Sequence, residues 1–224
     1  MSDSGFVALD LDRVSDSDLP GVGRARAWAG GELVLEPDLT HTVLAAQGQV
    51  QVQVQTGSFG LAAGMYAVVP GEGRIAGGQG LVISTALHRG LFQLGGPPEA
   101  TGRLAYIDGC SDTLLVCPPR LGEPCLNHLH LPADTLQTHH THPSDRIGII
   151  ARGSGWACVD GQRVALRAGM GWWIRSGTAH HFETGGEGLD VLAWHPDSDF
   201  GPTDAGHPMI NRTILAPRDP HSLP

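Results

Sequence analysis

The stretch GLAAGM at residues 60–65 recurs as ALRAGM at residues 165–170, an offset of 105 residues. Further along, GGQGL at residues 77–81 corresponds to GGEGL at residues 185–189 after a three-residue insertion in the second copy. Ordered matches of this kind indicate that one supersecondary plan has been used twice. The chain is therefore interpreted as two similar modules followed by a tail.

Each module is predicted to consist of short strands. The 224 residues include 32 Gly and 16 Pro, with short apolar runs between these turn-forming residues. At residues 49–55 valines alternate with glutamines, the period of two that gives a strand one apolar and one polar face. The runs at residues 147–151 and 189–194 are more continuously apolar and are predicted to be buried strands. Because few stretches could form long helices, the predicted fold class is all-β.

The basic residues exclude several kinds of chemistry. All 14 are Arg, so a P-loop lysine, a Schiff-base lysine for pyridoxal phosphate and a lysine general base are impossible. The net charge of −9 argues against nucleic acid or an anionic membrane surface as the main partner, because both are recognised by concentrated positive charge. A small-molecule or protein partner is therefore expected.

The apolar runs and the cysteines predict a soluble, cytoplasmic protein. No apolar run approaches the length of about 18 residues that a membrane span needs. The start, MSDSGFVALDLD, lacks the basic and apolar regions of a signal peptide. The four Cys include no CxxC pair, and a chain of this size does not need disulfides to fold, so reduced thiols are expected.

The second module has histidines that the first lacks. His140 and His142 are separated by one residue, and in an extended strand residues i and i+2 share a face, so the two imidazoles can be presented together. His180, on a neighbouring strand, would complete a facial set of three nitrogen ligands for Fe(II), Mn, Ni, Co or Zn. The alternative is that these histidines are surface or core residues satisfied by hydrogen bonds. At the repeat offset, the first module instead has Leu35, Pro37 and Ile75.

These residues carry a resemblance to a known family. The pattern His140-x-His142-x3-Arg146-x6-Gly153, followed by Gly169-x5-Arg175-x-Gly177-x2-His180, resembles the two motifs of the cupin superfamily. The resemblance covers roughly residues 30–195 and implies a bicupin, two double-stranded β-helix (jelly-roll) barrels in tandem. The implied domains are a degenerate N-terminal cupin at 1–105, a metal-binding C-terminal cupin at 106–200 and a tail at 201–224. The resemblance also implies a homodimer with metal in the C-terminal barrel only.

The sequence departs from the cupin pattern where a glutamate ligand usually lies. Arg146 occupies that position, and a guanidinium cannot ligate a cation, so a three-histidine site is expected unless Asp145 takes the place through a bulge. If Arg146 faces the barrel interior, its N–H groups can bind a substrate carboxylate; a local ion pair with Asp145 is the alternative. Glu183, three residues past His180, is a candidate catalytic proton carrier or else a solvated turn residue.

Three further side chains near these motifs are not assigned to the site. His139 and His181 adjoin candidate ligands and are expected to point to the opposite face, where a structural role is predicted; the alternative is that His139 replaces His140 as a ligand. Cys125 is a conceivable nucleophile, but no His-Asp arrangement around it is recognisable in the sequence.

Residues 127–131 contain a second alternating pair of histidines. Leu129 and Leu131 are predicted to face the core, which leaves His128 and His130 outward. With the opposite parity, these histidines would line the pocket as acid–base groups or as partners of the ligands.

The leading functional hypothesis is a metal-dependent enzyme acting on a small anionic molecule. Fe(II) held by His140, His142 and His180 is favoured, with dioxygenase-type chemistry at its open positions and Arg146 orienting the substrate. Isomerase or lyase chemistry, with the metal as a Lewis acid, stays open. A different class, a non-catalytic metabolite-binding or sensor module, is the second hypothesis. The sequence shows no helix-turn-helix segment, so a self-contained transcription factor is not expected.

Overall fold

The computed structural model describes residues 5–215 of the chain. Two parts of the chain lie outside the described range: residues 1–4, which begin the segment MSDSGFVALDLD, and residues 216–224 of the predicted tail. Strands dominate the described residues, and the helical elements there are the 3-10 turns Ile107–Gly109 and Ile210–Arg212, which confirms the all-β prediction. No helix within residues 5–215 is long and apolar enough to cross a membrane.

The first half of the chain forms two antiparallel sheets. Its strands are β2 (Ser15–Leu19), β3 (Gly23–Ala29), β4 (Glu32–Leu35), β5 (Thr40–Gln47), β6 (Val50–Val54), β7 (Gly57–Leu61), β8 (Tyr66–Pro70), β9 (Gly73–Ala76), β10 (Gln79–Thr85) and β11 (Gln93–Gly95). One sheet has the order β11-β8-β5-β10-β3-β2 and the other the order β4-β9-β6-β7. In β6, Val50 and Val52 are buried and Gln51 and Gln53 are exposed, which confirms the alternation expected there.

The second half forms one eight-stranded sheet that also takes in the first strand of the chain. Its strands are β1 (Phe6–Leu9), β12 (Leu104–Ala105), β13 (Ser111–Val116), β14 (Cys125–Leu131), β15 (Arg146–Val159), β16 (Gln162–Arg167), β17 (Gly171–Ile174) and β18 (His180–His195). The order is β1-β17-β15-β18-β14-β13-β12, with β16 paired to β15. The predicted domain 1–105 therefore contributes β1 and β12 to the sheet of the other half.

Strands β15 and β18 form the central ladder of this sheet. They are 14 and 16 residues long and pair along most of their length, and they contain the buried strands predicted at 147–151 and 189–194. The register shifts between Ile150 and Arg152 and again between Gly153 and Gly155. Register shifts of this kind are β-bulges, in which extra residues bend a strand and increase its twist. The bent β15 and β18 therefore run through the whole length of the curved sheet. Gly153 has φ of +77°, a conformation that disfavours residues with a Cβ.

Three apolar clusters stabilise the molecule. One lies inside the first half and includes Trp28 and Ile75, and another lies inside the second half and includes Trp172 and Phe182. The third joins the halves, where Trp194 and its neighbours on the outer face of the second sheet pack against residues of the first. The eight-stranded sheet therefore buries both faces over much of its area.

Gly148 on β15 provides a test of the β15–β18 ladder. A Cβ at this position would lie 1.7 Å from the carbonyl oxygen of Leu192 on β18, a contact with backbone that no rotamer change relieves. We expect Gly148→Ala to lower the free energy of unfolding by about 1–3 kcal/mol, measured by denaturant titration. The control is Gly186→Ala, because a Cβ at the exposed Gly186 meets nothing within 4 Å. Equal stability of the two variants would contradict the packing of this ladder.

Candidate metal centre

A backbone bridge brings two of the candidate ligands together. The His140 N–H donates to the carbonyl of His180, and the His180 N–H donates to the carbonyl of His140, both at 2.9 Å. His180 begins β18, so this antiparallel bridge attaches the histidine segment to the start of the central ladder. Main-chain hydrogen bonds therefore join the two sequence motifs, independently of their side chains.

The three predicted histidines converge. The ring centroids of His140, His142 and His180 lie 4.6–5.2 Å apart, and one potential ligand atom from each lies within 4.8 Å of the others. Nδ1 of His140 donates to the carbonyl of Thr138 and Nδ1 of His180 to the carbonyl of Thr178, both at 2.8 Å. A proton held on Nδ1 leaves the lone pair on Nε2, which is the form that binds a metal ion.

Burial keeps the imidazoles of His142 and His180 neutral. The pKa of His142 is lowered to about 3 by burial, with further lowering from the positive charge of Arg146. Burial likewise lowers the pKa of His180 to about 4. Since only the neutral ring has a free lone pair, both side chains are in the ligating state at neutral pH.

The histidines lie on the wall of a cavity of about 430 Å³. The remaining wall is mostly apolar or aromatic, with a few polar groups. The apolar lining consists of Leu104, Ala105, Tyr106, Leu129, Trp172, Ile174, Phe182, Val191 and Ala193. The polar lining besides the three histidines consists of Asp112, Asn127, Arg146, His195 and Asp199. An apolar pocket with a few convergent polar groups is typical of small-molecule sites.

Arg146 lines this cavity, as the substrate-anchor hypothesis requires. Its Nη1 donates to the Ser144 hydroxyl at 2.6 Å and to the carbonyls of Ser144 and Asp145 at 3.1 Å. These contacts hold one nitrogen of the guanidinium against the backbone. The Asp145 carboxylate instead accepts from Trp173 Nε1 at 2.9 Å and from the Ser176 N–H at 2.8 Å. Asp145 is therefore neither the ion-pair partner of Arg146 nor a fourth member of the histidine cluster.

Glu183 is not in the cavity, which corrects its assignment as a catalytic proton carrier. It lies three residues past His180 on the same strand, so its side chain points to the opposite face. There it forms an ion pair with Arg163 at 2.6 Å and contacts His181 at 3.2 Å. Because side chains alternate between the two faces of a strand, the three-residue spacing from His180 already predicts that Glu183 points away from the cavity.

The cavity contains polar groups that the sequence did not identify. His195 lies at the end of β18, two residues past Ala193 on the cavity face, and its Nε2 is 2.8 Å from Cys125 Sγ. Asn127 donates to the Asp112 carboxylate at 2.8 Å, and burial raises the pKa of Asp112. Strand parity could have identified His195, since it extends the buried run at 189–194. No sequence signal marks Asp112, because β13 meets β14 only through tertiary pairing.

Among the described residues of the first half there is no equivalent histidine cluster. Strand pairing also revises one correspondence between the halves. Ala157 pairs with Phe182 as its repeat counterpart Val52 pairs with Ile75, so Ile75 corresponds to Phe182 and not to His180. The position of His180 is instead occupied by Gly73, where an added Cβ would lie 3.3 Å from a methyl group of Leu35. A buried leucine thus fills the space on this side of the first half.

His128 and His130 lie on the face opposite the cavity, as predicted from parity, but that face is covered. His128 is fully buried, and both rings contact the Asp190 carboxylate, at 2.7 Å and 2.9 Å. Arg152 donates to the same carboxylate at 2.8 Å. The expectation that these histidines point outward to solvent is therefore wrong for His128, because the other half of the chain packs over this face.

His195 provides a pH test of the cavity wall. Burial lowers its pKa from 6.5 to about 4, so the folded state favours the neutral ring. The stability that this ring contributes is present above about pH 6.5 and is lost as the pH falls towards 4. We expect His195→Gln, in metal-free protein, to reduce the pH dependence of the unfolding free energy by up to about 1.4 kcal/mol per pH unit. The control is His207→Gln, which removes an exposed histidine; an unchanged slope in His195→Gln would contradict the shift.

Residues 127–195 match the family model described as a cupin domain. This segment contains most of β14, all of β15 to β18 and all three histidines of the cluster. None of the curated proteins matches the chain significantly.

Solved structures share the fold at low sequence identity. A "Cupin 2 conserved barrel domain protein" from Leptotrichia buccalis has a TM-score of 0.60 and 13% identity over 85% of this chain and 92% of its own. A putative glyoxylate-induced protein from Pseudomonas aeruginosa has a TM-score of 0.62 and 14% identity, covering 90% and 92%. Salicylate 1,2-dioxygenase from Pseudaminobacter salicylatoxidans has a TM-score of 0.56 and 12% identity, covering 84% and 77%. The chain therefore contains a cupin domain at residues 127–195, and it shares its fold with cupin-barrel structures over most of its length.

Proposed function

We propose that this protein is a metal-dependent oxidoreductase of the dioxygenase type that acts on a small anionic molecule. The observation that carries the proposal is the convergence of His140, His142 and His180 on the wall of an apolar cavity. The dioxygenase neighbour is distant and supports the fold only, so the chemistry is argued from the site.

The donor set fits a divalent transition metal. Three neutral imidazoles, two of them oriented by backbone carbonyls, form a facial set suited to Fe(II), the favoured ion, or to Mn, Ni, Co or Zn. Ferrous ion, when bound, would supply open coordination positions for dioxygen and substrate. The protein contributes the backbone bridge between His140 and His180 and a largely apolar cavity beside them.

The charge of the site favours an anionic substrate. Three neutral ligands leave the charge of a divalent ion uncompensated within the ligand set, and Arg146 adds a second positive group to the cavity wall, which also carries the carboxyl groups of Asp112 and Asp199. A guanidinium held through one nitrogen still has N–H groups for a carboxylate. Trp172 and Phe182 offer an apolar wall for the remainder of a small substrate.

A second candidate function, isomerase or lyase chemistry on the same metal, is favoured by the proton-transfer groups of the cavity. Burial raises the pKa of Asp112, which brings this carboxyl closer to the range useful for general acid–base catalysis. Asn127 links Asp112 to the cavity wall near His195, whose Nε2 lies 3.2 Å from the Asn127 side-chain oxygen. In this alternative, Asp112 would hold or accept the proton of a metal-polarised substrate.

The proposal also covers the two tandem barrels, the cellular location and the oligomeric state of the protein. The equivalent pairing of β5 with β8 and of β15 with β17, at the repeat offset, supports a cupin barrel in each half. The proposed domains are 1–105 without β1 and β12, 106–200 together with those two strands, and a tail at 201–224. Only the second barrel would bind the catalytic metal. A cytoplasmic homodimer is part of the same proposal.

Metal content tests the three-histidine site. We expect His140→Ala to lower the bound transition metal by about one ion per chain relative to the wild type, because two imidazoles hold a divalent ion far less tightly than three. Elemental analysis of protein purified without added metal measures this difference. His207→Ala is the control and should retain the wild-type content. A content unchanged by His140→Ala would refute the enzyme proposal and favour a non-catalytic metabolite-binding module.

Oxygen uptake tests the reaction and the role of Arg146. Fe(II)-loaded protein is screened with small carboxylates, salicylate among them, and with thiols. With an active carboxylate, we expect Arg146→Gln to raise KM by roughly 10- to 100-fold through loss of a charge-assisted contact, with metal content unchanged. The control is Arg120→Gln, on the exposed surface. Absence of uptake with every compound that perturbs the metal spectrum would count against oxidative chemistry and favour the isomerase or lyase alternative.

A further inference from the structure

A second group of metal-ligating side chains lies on the outer face of the β15–β18 ladder. Cys158 of β15 and His181 of β18 are direct cross-strand partners, and Glu183 lies two residues along β18 on the same face. One potential ligand atom from each of the three lies within 4.8 Å of the others. None of them lines the cavity beside His180, because their side chains point the other way from this strand.

The histidine of this outer cluster is oriented as metal-bound histidines are. His181 Nδ1 lies 2.7 Å from Nδ1 of His139, and its Nε2 lies 3.2 Å from Glu183 Oε1. Histidine ligands usually donate their second ring N–H to a neighbouring acceptor, which sets the tautomer and the ring orientation. Without metal, the Nε2–H of His181 donates to the Glu183 carboxylate, and a metal ion would take the place of this proton on Nε2 while Nδ1–H donates to His139.

The carboxylate and the thiol are also held in place. Arg163 contacts Glu183 Oε2 at 2.6 Å, which leaves Oε1 directed towards His181. The Arg163 guanidinium in turn stacks on the Trp156 ring, 4.2 Å from its centroid. Cys158 is 7% exposed and does not form a disulfide. These contacts restrict the cluster to one arrangement on the sheet surface.

We propose that Cys158, His181 and Glu183 form a second metal site, selective for a zinc-like divalent ion and separate from the three-histidine site. One sulfur, one nitrogen and one oxygen ligand, with water in the fourth position, suit tetrahedral Zn²⁺. The thiolate distinguishes this site from the all-nitrogen set inside the barrel, since soft sulfur ligands select against the ions that prefer oxygen. Binding replaces the S–H bond of Cys158 with a sulfur–metal bond and releases the proton to solvent. The bound ion would cross-link β15 to β18 behind the cavity.

Cobalt substitution of the full-length protein tests this site alone. Co²⁺ added to metal-free protein should produce a thiolate-to-cobalt charge-transfer band in the near ultraviolet, and Zn²⁺ should abolish it by displacement. We expect the band to be lost in Cys158→Ser and retained in Cys117→Ser, which replaces an exposed cysteine outside the cluster. It should also persist in His140→Ala, so failure of this site and failure of the three-histidine site are distinguishable.

A second variant tests the site independently, in case Cys158→Ser does not fold. Glu183→Gln keeps the thiol and the shape of the side chain but removes the anionic ligand, and we expect the cobalt concentration at half-maximal band intensity to rise at least tenfold. Absence of the band in wild-type protein, its persistence in Cys158→Ser, or an unchanged cobalt affinity in Glu183→Gln would each overturn the proposal.

Discussion

The pairing of β15 with β18 is the constraint on which the rest of the molecule depends. Because side chains alternate along paired strands, this one ladder assigns His180, Phe182 and His195 to the cavity and His181 and Glu183 to the outer surface. The bulges midway along the ladder bend both strands, so that residues at either end of β18 line the same cavity. His180 pairs with Val159 in this ladder, and the bridge to His140 adds the histidine segment beside the start of β18 and completes the histidine cluster.

Burial and charge prepare the cavity for its proposed metal. Desolvation keeps His142 and His180 unprotonated, and the carbonyls of Thr138 and Thr178 select the tautomer with a free Nε2. The positive charge of Arg146 acts in the same direction on His142. The neutral state of His142 and His180 therefore does not require a carboxylate within the histidine cluster, which is consistent with the departure from the usual cupin glutamate.

The comparison of the halves explains how much of the site the sequence could predict. The spacing of His140, His142 and His180 was sufficient to predict that their rings converge, although His140 lies in an isolated bridge and His142 outside any strand. The counterpart of His180 was misassigned to Ile75, because insertions shift the register within the repeat and only hydrogen-bonded pairs reveal the shift. Asp112 was missed because it reaches the cavity through pairing of β13 with β14, which leaves no local pattern. His128 was expected outward because one sequence does not show which face another sheet will cover.

The sequence by itself determined the all-β class, the internal repeat, the restriction of the histidine motif to the second half and the absence of lysine chemistry. These properties depend on composition and on short-range periodicity, which act within a single strand or turn. Tertiary structure alone decided that Arg146 faces the cavity, that Asp145 instead holds Trp173 and Ser176, and that Glu183 joins Cys158 outside. The physical reason is that each of these outcomes is set by strand register and burial against residues distant in the chain, where a shift of one residue reverses the face of every side chain.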